Sequence, residues 1–447
     1  MSNEESHKAE DLSRIEDDKR SIPLWSYIAL WWSSLIVVQA FAVGFFGVHP
    51  HGPLNIRQAI FASAFSAIAL AILFILNCVP GYKKGVPYAV QSRSSFGARG
   101  AKIATIIRSL PALAWYGIGN WIGALAINSI TQTLWGFGIP WLYFVIFLIV
   151  QTLLALKGIT VIKWFNTVAA FVVAILMAVT LVEVFRTGGV KESEAFTFVG
   201  SWGLPFWSVF AAGVAAVITG ALNASDISRH LVKSKGNGNN WIGHLAGIAP
   251  PWFYMMVIGI VFGVVTGNPD PVASMMEVAP TAAIGVAMLI FVLGAQVSTN
   301  LTLNILPPTH AMQDISKKIS WKLGVIICGI ISVATMPWLL FTSANFFNFL
   351  NFYALFLGPV LGIILADHWV VNRRKIDVQS LYQTEKGSKY WYSGGFSITA
   401  IISLAVGVAV SIPFMSISWM VGLPVGFIVY IILKSLIKME ATEPADT

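Results

Sequence analysis

Charged side chains are scarce in this sequence. Asp, Glu, Lys and Arg make up 11% of its 447 residues, whereas hydrophobic residues make up 56%. Soluble domains carry about 25% charged residues, because their surface faces water. This chain lacks the charges for such a surface, so lipid has to cover much of its exterior. The composition therefore argues against a soluble enzyme or a soluble binding domain.

Cysteine is also rare, and the short motifs of catalysis are missing. Cys78 and Cys328, the two cysteines, both lie in apolar stretches, so no disulfide framework is expected. The sequence has no zinc-type ligand spacing, no Gly-rich phosphate loop and no nucleophile elbow. The polar N-terminus contains no cleavable signal pattern. We therefore expect neither an enzyme nor a bound cofactor.

Long apolar runs are abundant. A spanning helix needs about 20 apolar residues, and twelve runs come near or above this length. They are Trp25–Gly47, Ile60–Val79, Ile103–Leu134, Ile139–Leu156, Val168–Phe185, Phe206–Leu222, Trp241–Gly267, Thr281–Leu306, Leu323–Ser343, Phe346–Val371, Phe396–Phe414 and Ile417–Ile437. The sequence predicts an all-α integral membrane protein with about twelve transmembrane helices. The membrane domain spans residues 23–437, between cytoplasmic tails at 1–22 and 438–447.

The positive charges lie mostly on one side of these runs. If the N-terminus is cytoplasmic, the cytoplasmic segments hold 24 of the 28 Lys and Arg residues. This asymmetry follows the positive-inside rule, so we predict that both termini are cytoplasmic and that the protein lies in the cell membrane. The same rule explains the basic cluster Arg373–Lys375, so no nucleic-acid partner is expected.

Two of the runs have unusual composition. The first contains Ser33 and Ser34 at its middle, and the sixth, around Phe206–Asp226, is rich in Gly and Ala. These runs are five spans apart, as an inverted five-plus-five repeat with broken helices would require. The alternative is that small residues allow close helix packing. Composition alone leaves both interpretations open.

The eighth run has the densest polar group. Ala295, Ser298 and Thr299 share one helix face, where two hydroxyls and a freed carbonyl would form half of a sodium site. The alternative is that the hydroxyls bond back to the helix backbone. On an ideal helix Asn304 lies about 140° from Thr299, which predicts ion and substrate on different faces. Asn304 could hydrogen-bond the lactam edge of an N-heterocycle, or simply a neighbouring helix.

The third run places aromatic residues beside glycines. Trp115 is followed one turn later by Gly119 and then by Asn120. A tryptophan here could stack on a planar ring, with space left by the glycine. The alternative is an ordinary packed tryptophan.

Several ordered motifs resemble one known family, the nucleobase:cation symporter family one, over nearly the whole chain. They are Trp31-Trp32, Ala114-Trp115-Tyr116-Gly117, Ser298-Thr299-Asn300 through Asn304 to Pro308, Phe349-Leu350-Asn351, Leu357-Gly358-Pro359, Ala366-Asp367 and Asn372-Arg373-Arg374. The family transports cytosine, uracil, purines, allantoin and hydantoins. The resemblance implies a LeuT-type fold, with repeats at about 25–185 and 205–371 and extra helices at about 396–437. It also implies alternating access, and we expect a single chain to function as a monomer.

The resemblance also implies site residues. For sodium these are the carbonyls of Ser33, Ile36 and Ala295 and the hydroxyls of Ser298 and Thr299. For the substrate, the resemblance implies stacking on Trp115 and hydrogen bonds from Asn304. Proton coupling, for example in a permease for a pyrimidine vitamin precursor, is the alternative, with Asp226 as the candidate proton site.

This sequence departs from the family pattern at two positions. Gly119 stands where the hydantoin transporters have a Gln. Val217, after Ala216, stands where they have an aromatic residue. Asn120 or Gln39 could replace the missing amide. We therefore expect a wider pocket, in which an aromatic side chain stacks on only one face of the substrate ring.

Overall fold

The computed structural model describes residues 12–157, 163–187, 193–315 and 318–440, and helices account for most of them. Fourteen helices in this part of the chain have ten or more residues. They are α1 Leu24–Leu35, α2 Val38–Gly47, α3 Ile56–Asn77, α4 Ala101–Trp135, α5 Pro140–Lys157, α6 Lys163–Thr187, α7 Leu204–Leu222, α8 Gly238–Val265, α9 Ala282–Thr299, α10 Leu306–Ile315, α11 Trp321–Ala334, α12 Phe346–Ala366, α13 Ile398–Ser411 and α14 Ser418–Glu440.

Shorter helical segments join these helices. The α-helical ones are Val79–Lys84, Tyr88–Gln91, Arg93–Phe96, Ala224–Ser228, Pro271–Val278, Pro337–Leu340 and Val378–Tyr382. Three are 3₁₀ turns at Asp17–Lys19, Glu194–Phe196 and Ile412–Ile417, and two are π-helical, at Asn300–Asn304 and Asp367–Val371.

Each of the twelve predicted apolar runs coincides with a helix or a helix pair. By length and composition, six helices among the described residues can cross a membrane, or seven if a bent pair counts as one span. Three further apolar helices, within α5, α9 and α11, are shorter. In the ninth run, the helix α11 ends at Ala334, before the end of the apolar run. It ends there because Met336 adopts a φ of 51° and Pro337 starts a new turn of helix.

The first span is broken in its middle. α1 and α2 are inclined to each other by 55°, with Ile36 and Val37 outside the helix between them. The hydroxyls of Ser33 and Ser34 both donate to the carbonyl of Leu30, at 2.8 Å each. Such back-bonding bends helices, and the β-branched Ile36 and Val37 favour extended backbone. Of the two interpretations that the composition left open, a broken helix is the one found in the first span.

The Gly- and Ala-rich stretch of the sixth span is continuous, which corrects the idea of a break within it. α7 runs without interruption from Leu204 to Leu222. Its small residues instead let aromatic donors reach its backbone carbonyls. The indole of Trp252 donates to Gly213 O (3.1 Å), that of Trp419 to Ala211 O (3.0 Å) and the hydroxyl of Tyr353 to Ala215 O (2.8 Å). Close packing is the interpretation that holds here.

Two glycines bring α2 and α8 into backbone contact. A Cβ on Gly44 would collide with the carbonyl of Met256, and one on Gly259 with the carbonyl of Phe41. Small residues at such an interface let membrane helices approach closely. The second half of the broken span is therefore held tightly against α8.

The segment before α1 joins the loops at one end of the bundle. Ile22 forms a bridge with Leu231, and the Nη1 of Arg20 donates to Leu231 O at 3.0 Å. Lys233 binds Asp17 at 2.7 Å, and this hydrogen bond holds the pKa of Asp17 below its ordinary value. We call this end, which carries the described chain termini, the terminal end.

Candidate functional site

A cavity of about 80 Å³ lies beside the break in the first span. α1 contributes Trp31, Ser34 and Leu35 to its wall, and α2 contributes Gln39. The other walls come from α4, α7, α8 and the π-helical turn after α9. A cavity that combines apolar walls with a few polar groups is the usual form of a small-molecule site.

The break frees two backbone carbonyls of the first span. In a continuous helix Ser33 O and Ile36 O would accept from the N–H groups of Val37 and Ala40. Here the N–H of Val37 donates to Leu35 O at 2.9 Å, and that of Ala40 to Val37 O at 3.1 Å. Both carbonyls thereby lose their usual helical donor.

The eighth span contains a π-helical turn, Asn300–Asn304, closed by the N–H of Ile305 on Asn300 O at 3.0 Å. This turn corrects the expectation that Thr299 and Asn304 lie on different faces. An i to i+5 bond places more residues in each turn, so each residue rotates less than in an α-helix. Thr299, Leu303 and Asn304 all line the same cavity.

Trp115 lies on the α4 wall of the cavity and is 5% exposed. Its ring makes edge contacts with Phe346 (6.2 Å between centroids) and Phe349 (5.4 Å). Its Nε1 has no hydrogen-bond partner among the described residues. Packing against these two rings therefore holds the indole in place.

Gly119 does not line the cavity, and the space beside it is filled. A Cβ on Gly119 would collide with the side-chain amide of Asn300. That amide donates to Tyr116 O at 3.2 Å and accepts from the Nδ2 of Asn304 at 2.8 Å. Asn300 thus fills the expected extra space and orients the amide of Asn304, so the pocket is not widened at this point.

The two alternative amides are already engaged. Gln39 lines the cavity, but its side chain exchanges hydrogen bonds with Gln296 of α9, at 3.0 and 3.4 Å. The Nδ2 of Asn120 donates to Tyr116 O at 2.7 Å, and Asn120 is not part of the cavity wall. Between Gln39 and Asn120, only Gln39 is within reach of a cavity ligand.

Ala216 and Val217 form the α7 wall, as the sequence predicts, and no aromatic side chain stands there. Further aromatic surface comes from Trp31 and Trp252, which the sequence pattern does not mark as site residues. Their signal in the sequence was weak, because the chain has 17 tryptophans.

The residues expected to bind sodium are only partly brought to the cavity. Thr299 lines it, whereas Ser33, Ile36 and Ala295 lie outside its wall. The side chain of Ser298 lies outside what the structure describes. Asp226, the candidate proton site, is also absent from the wall, and its carboxylate accepts the N–H of Tyr88 at 2.7 Å.

The cavity extends toward the terminal end. The wall nearest the terminal end of the bundle includes Asn223, Ile227 and Arg108. Toward the opposite end, three buried phenylalanines are in mutual contact at 5.5 to 5.9 Å and reach the ring of Trp115; they are Phe46, Phe341 and Phe346. These rings separate the cavity from the far end of the bundle.

Spanning helices, a break in the first of them and a polar and aromatic cavity beside that break are features of membrane transporters. The chain belongs to the family of permeases for cytosine/purines, uracil, thiamine and allantoin, whose family model matches residues 14–433. It is therefore a multi-pass membrane protein and not an enzyme.

Individual relatives agree with this assignment. The hydantoin permease of Microbacterium maritypicum is 29% identical over 428 residues, which cover 92% of this chain and 86% of the relative. The putative allantoin permease of Escherichia coli is 27% identical and covers 98% of this chain and 97% of the relative. The allantoin permease of Bacillus subtilis is also 27% identical, covering 95% and 92%.

Solved structures confirm the expected fold. The inward-facing conformation of Mhp1 matches with a TM-score of 0.85 and 25% identity, over 96% of this chain and 93% of that one. Mhp1, a nucleobase-cation-symport-1 family transporter, in a closed conformation with bromovinylhydantoin bound, matches with a TM-score of 0.80 and 27% identity, over 98% and 97%. The chain thus has the predicted LeuT-type helical membrane fold.

Proposed function

We propose that the protein imports a small planar N-heterocycle, related to hydantoin, allantoin or a nucleobase, together with sodium. The observation that carries this proposal is that Trp115, Asn304 and Thr299 line one cavity at the break of the first span. A stacking surface and an amide are what an N-heterocycle would need, and a hydroxyl and freed backbone carbonyls are groups that bind a cation.

The substrate would lie with its ring against Trp115. Asn304 would then supply the directional contact. Its Nδ2 donates one hydrogen bond to Asn300, and the side-chain oxygen of Asn304 would accept a hydrogen bond from a ring N–H. The relatives named for hydantoin and allantoin transport support this class, since both compounds present adjacent N–H and C=O groups.

Sodium would be held by the carbonyls of Ser33, Ile36 and Ala295 and by the hydroxyls of Ser298 and Thr299. Two of these carbonyls have lost their usual helical donors at the break. A cation at this position would link α1 to α9, since each of these helices supplies some of its oxygen ligands. The amide pair of Gln39 and Gln296 joins α2 to the same helix close by. Cation binding would therefore stabilise the arrangement that receives the substrate, and the substrate would raise cation affinity equally.

Alternating access follows from the same parts. The described arrangement closes the far end with Phe46, Phe341 and Phe346 and directs the cavity to the terminal end. In the opposite state these rings would separate and the walls at Asn223 and Ile227 would close. We propose that the terminal end is cytoplasmic, so the described arrangement releases substrate inward.

Thermal stabilisation of the purified protein tests this proposal. A panel of hydantoin, allantoin, uracil and cytosine would be measured with sodium and with choline as the replacement cation. We expect at least one compound to raise the melting temperature, and to raise it more in sodium. Thr299→Ala should abolish the sodium-dependent part. The control Thr105→Ala, also on a spanning helix but bonded to Ala101 O, should retain it.

Stabilisation that is equal in sodium and choline would reject sodium coupling. The alternative is then a proton-coupled permease, for which the structure offers one specific feature. His244 of α8 is buried and bonded to the hydroxyl of Tyr27 on α1 at 2.7 Å. Uptake that falls as external pH rises, and that is lost in His244→Gln, would support that alternative.

A further inference from the structure

Arg108 on α4 is a buried cation on the cavity wall. It is 3% exposed and belongs to the lining of the cavity, about two turns from the start of its helix Ala101–Trp135 at the terminal end. Its Nε and Nη1 atoms are buried and have no hydrogen-bond partner among the described residues. Such a group is unusual, because buried charges are normally paired.

No acid in the described part of the chain is in direct contact with this guanidinium. Asp226 is close enough to act on Arg108 electrostatically, but the two form no ion pair in the described part of the chain. The Asp226 carboxylate instead accepts the N–H of Tyr88. A guanidinium cannot give up its charge in a protein, so the three N–H groups on these two buried nitrogens require an acceptor that comes from elsewhere.

The helix register directs Arg108 and Trp115 to the same ligand. Arg108, Ala112 and Trp115 are spaced i, i+4 and i+7, which places them on one face of α4, and all three line the cavity. The rise between Arg108 and Trp115 is about 10 Å. The intervening Ala112 has no side chain long enough to separate them.

We propose that Arg108 is the counter-ion of a carboxylate carried by the substrate, which is therefore an anionic N-heterocycle. The proposal rests on the proposed function and narrows its substrate class. The ring would lie against Trp115 and Asn304, and its carboxylate would extend toward the terminal end. The fork of a guanidinium matches the two oxygens of a carboxylate.

Matched compounds test this assignment. Uracil-6-carboxylate is compared with its methyl ester and with uracil, and hydantoin-5-acetate with its methyl ester and with hydantoin. Dissociation constants are measured on the purified full-length protein in sodium. In the wild type, a carboxylate should bind at least about tenfold more tightly than its ester, as expected for a charge-assisted hydrogen bond.

Substitutions identify the partner of the carboxylate. Arg108→Gln should remove the preference for carboxylate over ester, and the ester binding that remains shows that the variant is folded. Arg108→Lys should keep part of the preference. Arg186→Gln removes an exposed arginine, paired with Glu183 at the far end, and should keep all of it.

Three results would overturn the proposal. The first is equal wild-type affinity for carboxylates and esters, which leaves the proposed function intact. The second is an equal loss of carboxylate and ester binding in Arg108→Gln, accompanied by the same loss in Asp226→Asn. This result would mean that the two residues act together in opening and closing the cavity and do not bind the carboxylate. The third is no binding of any charged or neutral compound, which would reject the proposed function as well.

Discussion

Single residues decide how the ring is held. Trp115 is fixed by edge contacts with Phe346 and Phe349 and has no polar tether among the described residues. The sequence predicted its role through the family resemblance, since its position in an apolar run is equally compatible with simple packing. Asn300 was not predicted, because its contact with Gly119 joins two helices far apart in the chain.

Trp115→Ala should weaken ligand binding by about tenfold or more. An aromatic pair contributes roughly 0.5–1.5 kcal/mol beyond the buried area, and about 1.4 kcal/mol corresponds to a factor of ten. Trp115→Phe should lose less. Titration calorimetry with the tightest ligand of the panel measures the effect. Trp135→Ala, at the exposed end of the same helix, is the control, and an equal loss there would mean that α4 as a whole was disturbed.

At the scale of elements, the π-helical turn of the eighth span is the feature that the sequence could not reveal. On an ideal α-helix, the five-residue spacing separates Thr299 from Asn304 by about 140°. The turn at Asn300–Asn304 removes this separation. The cation-binding and substrate-binding parts of the site therefore share one wall.

A double-mutant cycle tests that shared wall. Ligand affinity is measured in sodium for Thr299→Ala, Asn304→Ala and the double variant. Because both side chains line one cavity, their effects should be non-additive by at least about 0.5 kcal/mol. The pair Thr105→Ala and Asn304→Ala should be additive. Additive effects for Thr299 and Asn304 would mean that they act at independent sites.

The contact between α2 and α8 depends on glycine. Gly44→Ala places a Cβ against the carbonyl of Met256, and a backbone atom cannot move aside as a flexible side chain can. We expect a destabilisation of about 1–3 kcal/mol, typical of overpacking, seen as a lower melting temperature in detergent. Gly267→Ala, with open space around the added Cβ, is the control. Equal stability of the two variants would contradict tight packing.

For the whole molecule, the spans were predictable and their irregularities were not. Apolar runs marked all twelve segments, because lipid demands about 20 apolar residues per helix. Composition suggested breaks in the first and sixth spans alike. Only the first is broken, where Ser33 and Ser34 bond back to Leu30. Small residues in α7 instead admit hydrogen bonds from neighbouring aromatic side chains.

The orientation in the membrane stays a prediction from charge. In a background of Cys78→Ser and Cys328→Ala, single cysteines would replace the exposed Glu194 or Lys386. A membrane-impermeant maleimide should label Glu194→Cys in intact cells and Lys386→Cys only after permeabilisation, because Lys386 lies on the side rich in Lys and Arg. The reverse pattern would place the terminal end outside.

Arg108 also has a consequence for energetics. A carrier that moves one sodium ion with one carboxylate transfers no net charge. The membrane voltage contributes about 2.3 kcal/mol per elementary charge at 100 mV. It then does no work when the carrier moves with both sodium and substrate bound. A neutral ring would be drawn in by voltage to an accumulation of about fifty-fold at 100 mV. An anionic one would follow the sodium concentration ratio alone. A measurement of transport current thus distinguishes an anionic substrate, bound by Arg108, from a neutral one.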